Sequence, residues 1–113
     1  MWNYKAKIVR VVDGDTYDVE VDLGFYIYHV IRVRLRGVDT PEVFGPNATP
    51  EGKIASQYVK DLIEGEEVII TTYKSKPTTF GRWEADVQFT NNGELKQLSE
   101  YLVEQGFATK VLI

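Results

Sequence analysis

Apolar and polar residues alternate along the first third of the chain and recur at helical spacing in its middle. Residues 5–12 read as a strand, and residues 16–23 set Tyr17, Val19, Val21 and Leu23 against Thr16, Asp18, Glu20 and Asp22, the period of a half-buried strand. Asp13-Gly14-Asp15 is the turn between them. Gly24 breaks the pattern, and residues 26–37 read as a third strand in which Arg32, Arg34 and Arg36 share one face. Pro41, Gly45, Pro46 and Pro50 mark a loop long enough to be functional. Thr49 then serves as the N-cap of a helix with Pro50 at its first position. Ile54, Ala55, Tyr58, Val59, Leu62 and Ile63 recur at helical spacing until Gly65 ends it. Residues 68–73 and 83–89 read as two more strands, joined by the polar segment 74–81, and Asn91-Asn92-Gly93 is a turn. A short last helix takes Ser99 as N-cap, a staple between Leu98 and Val103, and Gly106 as its stop.

Five short strands, a helix between the third and fourth, and a short C-terminal helix match the plan of an OB-fold. This is a mainly β chain with α (α+β), built on a five-stranded Greek-key barrel whose strand face and loops bind nucleic acids and saccharides. At 113 residues the expectation is one domain spanning 1–113, burying roughly two thirds of the surface its unfolded chain exposes. No internal repeat, low-complexity segment or charge run interrupts it.

Composition narrows the chemistry. Hydrophobic residues make up 43% and charged residues 27%, which places the chain among globular and not disordered proteins. There is no cysteine, so disulfides, thiolate metal sites and cysteine nucleophiles are excluded, and a metal would need oxygen ligands or the single His29. His29 has no partner motif and is assigned no role. No apolar run approaches the about 20 residues that span a bilayer, and the N-terminus lacks the apolar core of a secretory signal. A cytoplasmic protein without membrane association is expected, although a secreted one with its signal trimmed would read the same. The net charge of −4 runs against tight nonspecific nucleic-acid binding, which needs a basic excess. A bound Ca²⁺ would offset two of those charges locally.

The candidate chemistry lies in two segments, Asp13-Gly14-Asp15-Thr16 and Arg34-Leu35-Arg36-Gly37-Val38-Asp39-Thr40-Pro41-Glu42. Carboxylates at strand ends beside an arginine can hold a hard divalent cation next to a phosphate, since oxygen ligands suit Ca²⁺ and a planar guanidinium suits phosphate oxygens. Taken alone the first segment is an ordinary turn. Asp39 and Glu42 change its reading. Arg32 and Arg36 are expected on a solvent face, Tyr26, Tyr28 and Trp83 in core or cross-strand pairs rather than under stacked bases, and Glu64, Glu66 and Glu67 in solvent.

From Val11 to about Lys110 the chain resembles the staphylococcal nuclease (thermonuclease) family. The resemblance is carried by Val-Val-Asp-Gly-Asp-Thr at 11–16, Arg-Leu-Arg-Gly-Val-Asp-Thr-Pro-Glu at 34–42, Phe-Gly-Arg at 80–82 and Leu-Val-Glu-Gln-Gly-Phe-Ala at 102–108. Four matches in order are specific where any one is not. The resemblance implies an OB-fold barrel and Ca²⁺-dependent hydrolysis of DNA and RNA. It implies Asp15 and Asp39 as carboxylate ligands of Ca²⁺, with the Thr40 carbonyl as a third oxygen and Asp13 close behind them. Glu42 resembles the residue that positions or deprotonates the attacking water, and Arg34 and Arg82 the pair that grips the phosphate. These roles fit elementary chemistry: a metal polarises phosphorus, a carboxylate takes a proton, and guanidiniums act where charge develops.

The chain also departs from the family. Thr79 and Phe80 stand where its best-known member has a Lys-Tyr pair, and Leu112 and Ile113 where it has tyrosines near the base. That member continues into a third helix where this sequence ends, so stability or oligomeric state is expected to differ. The sequence therefore predicts a monomeric, Ca²⁺-dependent endonuclease of DNA or RNA with weak substrate binding. The rival reading is a catalytically silent module of the same lineage that binds nucleic acid or protein. An oligosaccharide-binding module has only the strand count in its favour.

Overall fold

A computed structural model describes residues 2–73 and 83–111. Among these residues eight strands and two helices follow in order: β1 (Trp2–Asp13), β2 (Thr16–Asp22), β3 (Tyr28–Leu35), β4 (Val38–Asp39), α1 (Pro50–Ile63), β5 (Glu67–Thr72), β6 (Trp83–Asn91), β7 (Glu94–Gln97), α2 (Leu98–Glu104) and β8 (Thr109–Lys110). The main sheet runs β3-β2-β1-β5-β6-β7. A parallel pairing of Val33–Leu35 with Trp83–Ala85 joins β3 back to β6 and closes β1, β2, β3, β6 and β5 into a five-stranded barrel. With α1 between β4 and β5, this is the OB-fold expected from the element order.

Long β1 makes the closure possible by serving two neighbours. Its first half pairs with β5, from Trp2 with Thr72 to Lys7 with Glu67, and its second half pairs with β2, with register shifts between Ile8 and Arg10 and between Val11 and Asp13. Such irregularities bend a strand and sharpen its twist. The backbone groups that β5 no longer reaches are taken by the end of α1. Ile8 N–H donates to Glu66 O at 3.0 Å and Gly65 N–H to Ile8 O at 2.7 Å. Val11 N–H donates to the Glu64 carboxylate at 2.9 Å. Glu64, expected in solvent, is therefore a structural acceptor at a strand irregularity.

Alternation sends Ile8, Val11, Tyr17, Val19, Val21, Val33, Leu35, Ile70, Val87 and Phe89 inward, where α1 closes the barrel with Val59 and Ile63. The α1 start is as read: Thr49 accepts from Gly52 N–H and Pro50 opens the helix. Ile54, read as core, instead lies on the exposed face at 60%, because the buried stripe is Gly52, Ala55, Val59 and Ile63. Tyr58 stacks on Phe107 at 4.1 Å, Tyr101 packs edge-on against Phe89 at 5.3 Å, and the Tyr58 hydroxyl donates to that of Tyr101 at 3.4 Å. These rings tie α1, α2 and the segment after α2 together.

Several local expectations change. Helix α2 begins at Leu98, so its N-cap is Gln97 and not Ser99, and no side chain caps it. Gly106 does end it, with φ of 82° and bonds from Gly106 N–H to Val103 O and Phe107 N–H to Leu102 O, the Schellman pattern. The turn at Asn91–Gly93 opens the hairpin β6–β7. Arg36 lies past the end of β3, its guanidinium 3.8 Å from the centre of the Tyr73 ring and 3.8 Å from the Glu84 carboxylate, so it is not a solvent-face partner of Arg32. Tyr26 and Tyr28 are exposed, not packed in the core. No helix among the described residues is long and apolar enough to cross a membrane.

Candidate active site

The end of β1, the start of β2, the end of β3 and β4 meet at one end of the barrel. In the turn after β1, Asp15 N–H donates to the Asp13 carboxylate at 3.1 Å, an Asx turn that folds the acidic segment on itself. Gly14 is required here for space. A Cβ at this position would lie 2.5 Å from Thr40 Oγ1 and 2.8 Å from Thr40 Cβ. Tyr17, fully buried, donates its hydroxyl to Gly14 O at 2.6 Å, and Leu35 N–H donates to Asp15 O at 2.8 Å. The turn is thus fixed from β2, β3 and the Thr40 loop at once.

Asp15 is a buried carboxylate with several partners. Oδ2 accepts from Thr40 N–H at 3.1 Å and lies 3.5 Å from Arg34 Nη2, while Oδ1 accepts from Thr16 Oγ1 at 3.3 Å. Arg34 Nη2 also bonds the Asp39 carboxylate. Its Nη1 donates to Leu35 O and Val38 O, each at 2.8 Å. One guanidinium therefore bridges the two carboxylates of Asp15 and Asp39. Asp39 is positioned from its other side by β8, which pairs Thr109 with Asp39 and Lys110 with Val38.

Negative charge is concentrated in this turn. The Asp13 carboxyl is pushed up to about 6, first by burial and then by the side-chain hydrogen bond and charge of Asp15. Burial, and next the charges of Asp15 and Asp13, hold the Tyr17 hydroxyl well above its ordinary value, with Arg34 opposing them. Glu42 follows Pro41 on the same loop, with its side chain exposed and no hydrogen bond to any described residue. Its backbone is held firmly: Thr49 N–H donates to Glu42 O at 3.1 Å, and a Cβ on Gly52 would lie 1.8 Å from that same oxygen.

Asp13, Asp15, Arg34, Asp39 and Thr40 are therefore brought together, and Glu42 stands on the adjoining loop. Arg82, Thr79, Phe80, Leu112 and Ile113 lie outside the described residues. Gly14, Tyr17 and Gly52 were not singled out by the sequence. The alternation that placed Tyr17 inward gave no sign of its bond to Gly14, and both glycines answer to close approaches between distant segments.

Residues 32–113 match the model of the family described as staphylococcal nuclease homologue. The chain belongs to this family. It is 33% identical over 104 residues to the thermonuclease of Staphylococcus hyicus, covering 90% of this chain and 56% of that protein. Identity to the micrococcal nuclease of Shigella flexneri is 30% over 109 residues, covering 94% of this chain and 58% of the other. An uncharacterized protein of Methanocaldococcus jannaschii is 30% identical over 126 residues, with 94% and 58% covered. The chain spans a little over half the length of these three relatives. The carboxylate and arginine cluster lies at the barrel end of a staphylococcal nuclease homologue, and the matched region includes Arg34, Asp39, Thr40 and Glu42.

The donor set suits a hard cation. Carboxylate oxygens of Asp15 and Asp39 face one guanidinium, so the structure already places positive charge between them. Among the described residues no three side chains of His, Asp or Glu converge as a metal cage. A cation here would have the side-chain carboxylates of Asp15 and Asp39 and would complete its shell from other oxygens, as Ca²⁺ readily does.

Proposed function

We propose that this chain is a Ca²⁺-dependent phosphodiesterase that cleaves DNA or RNA endonucleolytically and captures its substrate weakly. The observation that carries the reading is the Arg34 guanidinium shared by Asp15 and Asp39. Bound Ca²⁺ would supply a Lewis acid beside the phosphate and favour hydroxide over water. Arg34 Nη1 stays on the carbonyls of Leu35 and Val38, which holds the plane of the guanidinium. Nη2 becomes available to a phosphate oxygen once the carboxylates are otherwise engaged. Glu42, exposed and with no side-chain hydrogen bond to a described residue, on a loop fixed through its backbone, is suited to accept a proton from water. Asp13 sets the Asp15 turn through its bond to the Asp15 N–H. Arg82 is assigned the second phosphate contact on the family motif alone.

A silent binding module of the same family is the second reading, and it too has an observation behind it. Both terminal nitrogens of Arg34 are engaged by protein oxygens, an arrangement that needs no chemistry to hold it. Incubating single-stranded DNA with the protein, with Ca²⁺ and with a chelator, separates the two. Cleavage that needs Ca²⁺ and is lost in Asp15→Asn supports the enzyme, as does a melting temperature that Ca²⁺ raises in the parent and not in the variant. Tight, saturable oligonucleotide binding without cleavage supports the module.

A further inference from the structure

The hairpin of β2 and β3 ends in a turn whose two central residues are aromatic. Ile27 N–H donates to Gly24 O and Leu23 N–H to Ile27 O, each at 2.9 Å, and Gly24 N–H donates to the Asp22 carboxylate at 2.8 Å. Between them Phe25 and Tyr26 hold φ of 56° and 61°, positive at both central positions as a type I′ turn requires. Asn and Gly ordinarily fill such positions, because other side chains meet steric resistance in left-handed backbone. The turn is well bonded, yet its backbone disfavours the residues at its centre.

Solvation disfavours them as well. Phe25 and Tyr26 are each 94% exposed, and Leu23 and Ile27 beside them are about half exposed. No Lys, Arg, Asp or Glu occurs from Leu23 to Ile31. At that exposure the two rings gain no packing within the chain, and the candidate active site is remote from them. Thr16 pairs with Arg34 at the site's end of the hairpin and Asp22 with Tyr28 at the other, roughly 20 Å away at about 3.3 Å per residue. Whatever offsets both costs lies outside the chain.

We propose that this turn is an interfacial membrane anchor: Phe25 and Tyr26, with Leu23 and Ile27, insert into the headgroup boundary of an electrically neutral lipid surface. Such anchoring reaches about 5–10 Å deep. Asp22 is the first charged residue on one strand and Arg32 on the other, so charge begins where insertion ends. The N–H groups of Leu23, Gly24 and Ile27 are already bonded within the hairpin, and those of Phe25 and Tyr26 stay at a depth where water and headgroup oxygens accept them. Tyr26 and Tyr28 suit that depth, each with an apolar ring and a polar hydroxyl. Asp15 and Arg34 then lie at the end of the hairpin far from the bilayer, open to solution.

Other occupants fit less well. A single-stranded nucleic acid could stack on the rings but would find no Lys or Arg on the turn for its phosphates, and Arg32 is already held by both oxygens of Asp18, at 2.8 and 3.2 Å. A stable specific protein interface takes roughly 800 Å² from each partner, whereas the turn presents on the order of 500 Å², at about 150–250 Å² for each aromatic. Lipid sets no such threshold and needs no matching shape. A second copy would meet the rings with charge, because one cavity holds Lys7, Glu20 and Glu67 and another Arg36, Asp86 and Lys110. Asp22, Glu20 and the net charge of −4 oppose an anionic surface, which leaves a zwitterionic one. The expectation of no membrane association rested on the lack of a spanning run and a signal, neither of which an interfacial anchor needs.

Flotation of the full chain with phosphatidylcholine vesicles should find half of it bound near about 0.1 mM lipid, the range of a single acyl anchor, and the same fraction at low and high salt. Phe25→Asn combined with Tyr26→Gly gives the turn residues that its backbone prefers. The melting temperature of this double variant should equal or exceed the parent's, while its partition into vesicles falls by about tenfold or more, as the loss of two buried rings implies. If the double variant does not fold, Phe25→Asn alone decides. Ile54→Gln, which removes an exposed apolar side chain on α1, should float as the parent does. A parent that stays in solution, binding confined to phosphatidylserine vesicles at low salt, unchanged flotation of the double variant, or an equal loss in Ile54→Gln would each overturn the proposal. So would a parent indifferent to vesicles whose rings are needed for dimer mass in light scattering or for binding single-stranded DNA.

Discussion

A guanidinium carries five donors, and Arg34 uses its two terminal nitrogens on the Leu35 and Val38 carbonyls and on the Asp39 and Asp15 carboxylates. An ammonium at the same place has three donors on one atom and cannot span that set. Arg34→Lys should therefore lower cleavage by more than about a hundredfold, the equivalent of roughly 3 kcal/mol in the transition state. It should also lower the melting temperature by about 5 °C, since losing one hydrogen bond of about 1 kcal/mol has that effect in a domain of this size. Single-turnover kinetics and thermal melting measure the two separately. Near-parental turnover with a lowered melting temperature would leave Arg34 as a structural tie. Asp15, Arg34 and Asp39 were legible in the sequence because strand ends and acidic turns are local signals. Gly14 was not, because its close approach is to Thr40 far along the chain, and Tyr17 was not, because alternation places its ring inward without showing the bond from its hydroxyl to Gly14 O. Tyr26 and Tyr28 show the other limit: alternation tells which face a side chain takes, and not whether anything covers that face.

Helix α1 positions the Glu42 loop through a contact between backbones. Gly52 costs the first turn about 1 kcal/mol of helix propensity relative to alanine, yet an alanine Cβ would lie 1.8 Å from Glu42 O and 2.5 Å from Glu42 C. Neither atom belongs to a side chain that can rotate away. Gly52→Ala should therefore destabilise the protein by roughly 1–3 kcal/mol, the usual range for forced overpacking, and should lower turnover further by displacing Glu42. A stabilised variant would show that the loop gives way freely. The helices are also coupled through the Tyr58 hydroxyl, pushed up to about 12, first by its hydrogen bond to Tyr101, then by burial and the charge of Tyr101. An unfolded tyrosine ionises near about 10, so between these values the unfolded chain gives up a proton that the folded one keeps. Stability should be complete below that window and fall as pH rises through it. Denaturant melts of Tyr58→Phe should show a shallower alkaline decline than the parent, and an identical slope would remove Tyr58 as a contributor. At this scale α1 was legible from its cap and apolar spacing. Strands β4 and β8 were not: two residues each, they have no period to read and exist only because residues far apart in the chain meet beside Asp39.

Across the whole molecule, strand register on the barrel sets opposite charges beside one another. Lys7 stands between Glu20 and Glu67 in register, Arg10 opposite Asp18, and Arg32 bonded to Asp18. With a net charge of −4, this offers a polyanion little long-range attraction. On the weak-capture reading proposed above, Thr79, Phe80, Leu112 and Ile113, which stand where the family resemblance implies phosphate and base contacts and which lie outside the described residues, would subtract from the same ground-state binding. Asp15, Arg34 and Asp39, proposed to act on the scissile phosphate, lie together among the described residues. Contacts made equally in ground and transition states raise KM when lost and leave kcat alone. Cleavage of single-stranded DNA should therefore keep climbing with substrate at concentrations that saturate a tight binder. Added salt adds a second measure, because each phosphate neutralised by a cation contributes about 0.7–0.9 to the logarithmic salt slope. With few such contacts, raising monovalent salt at fixed Ca²⁺ should depress kcat/KM only shallowly. A steep slope together with early saturation would mean that a basic surface lies elsewhere on the chain, and the weak-capture reading would fall while the cleavage chemistry stood.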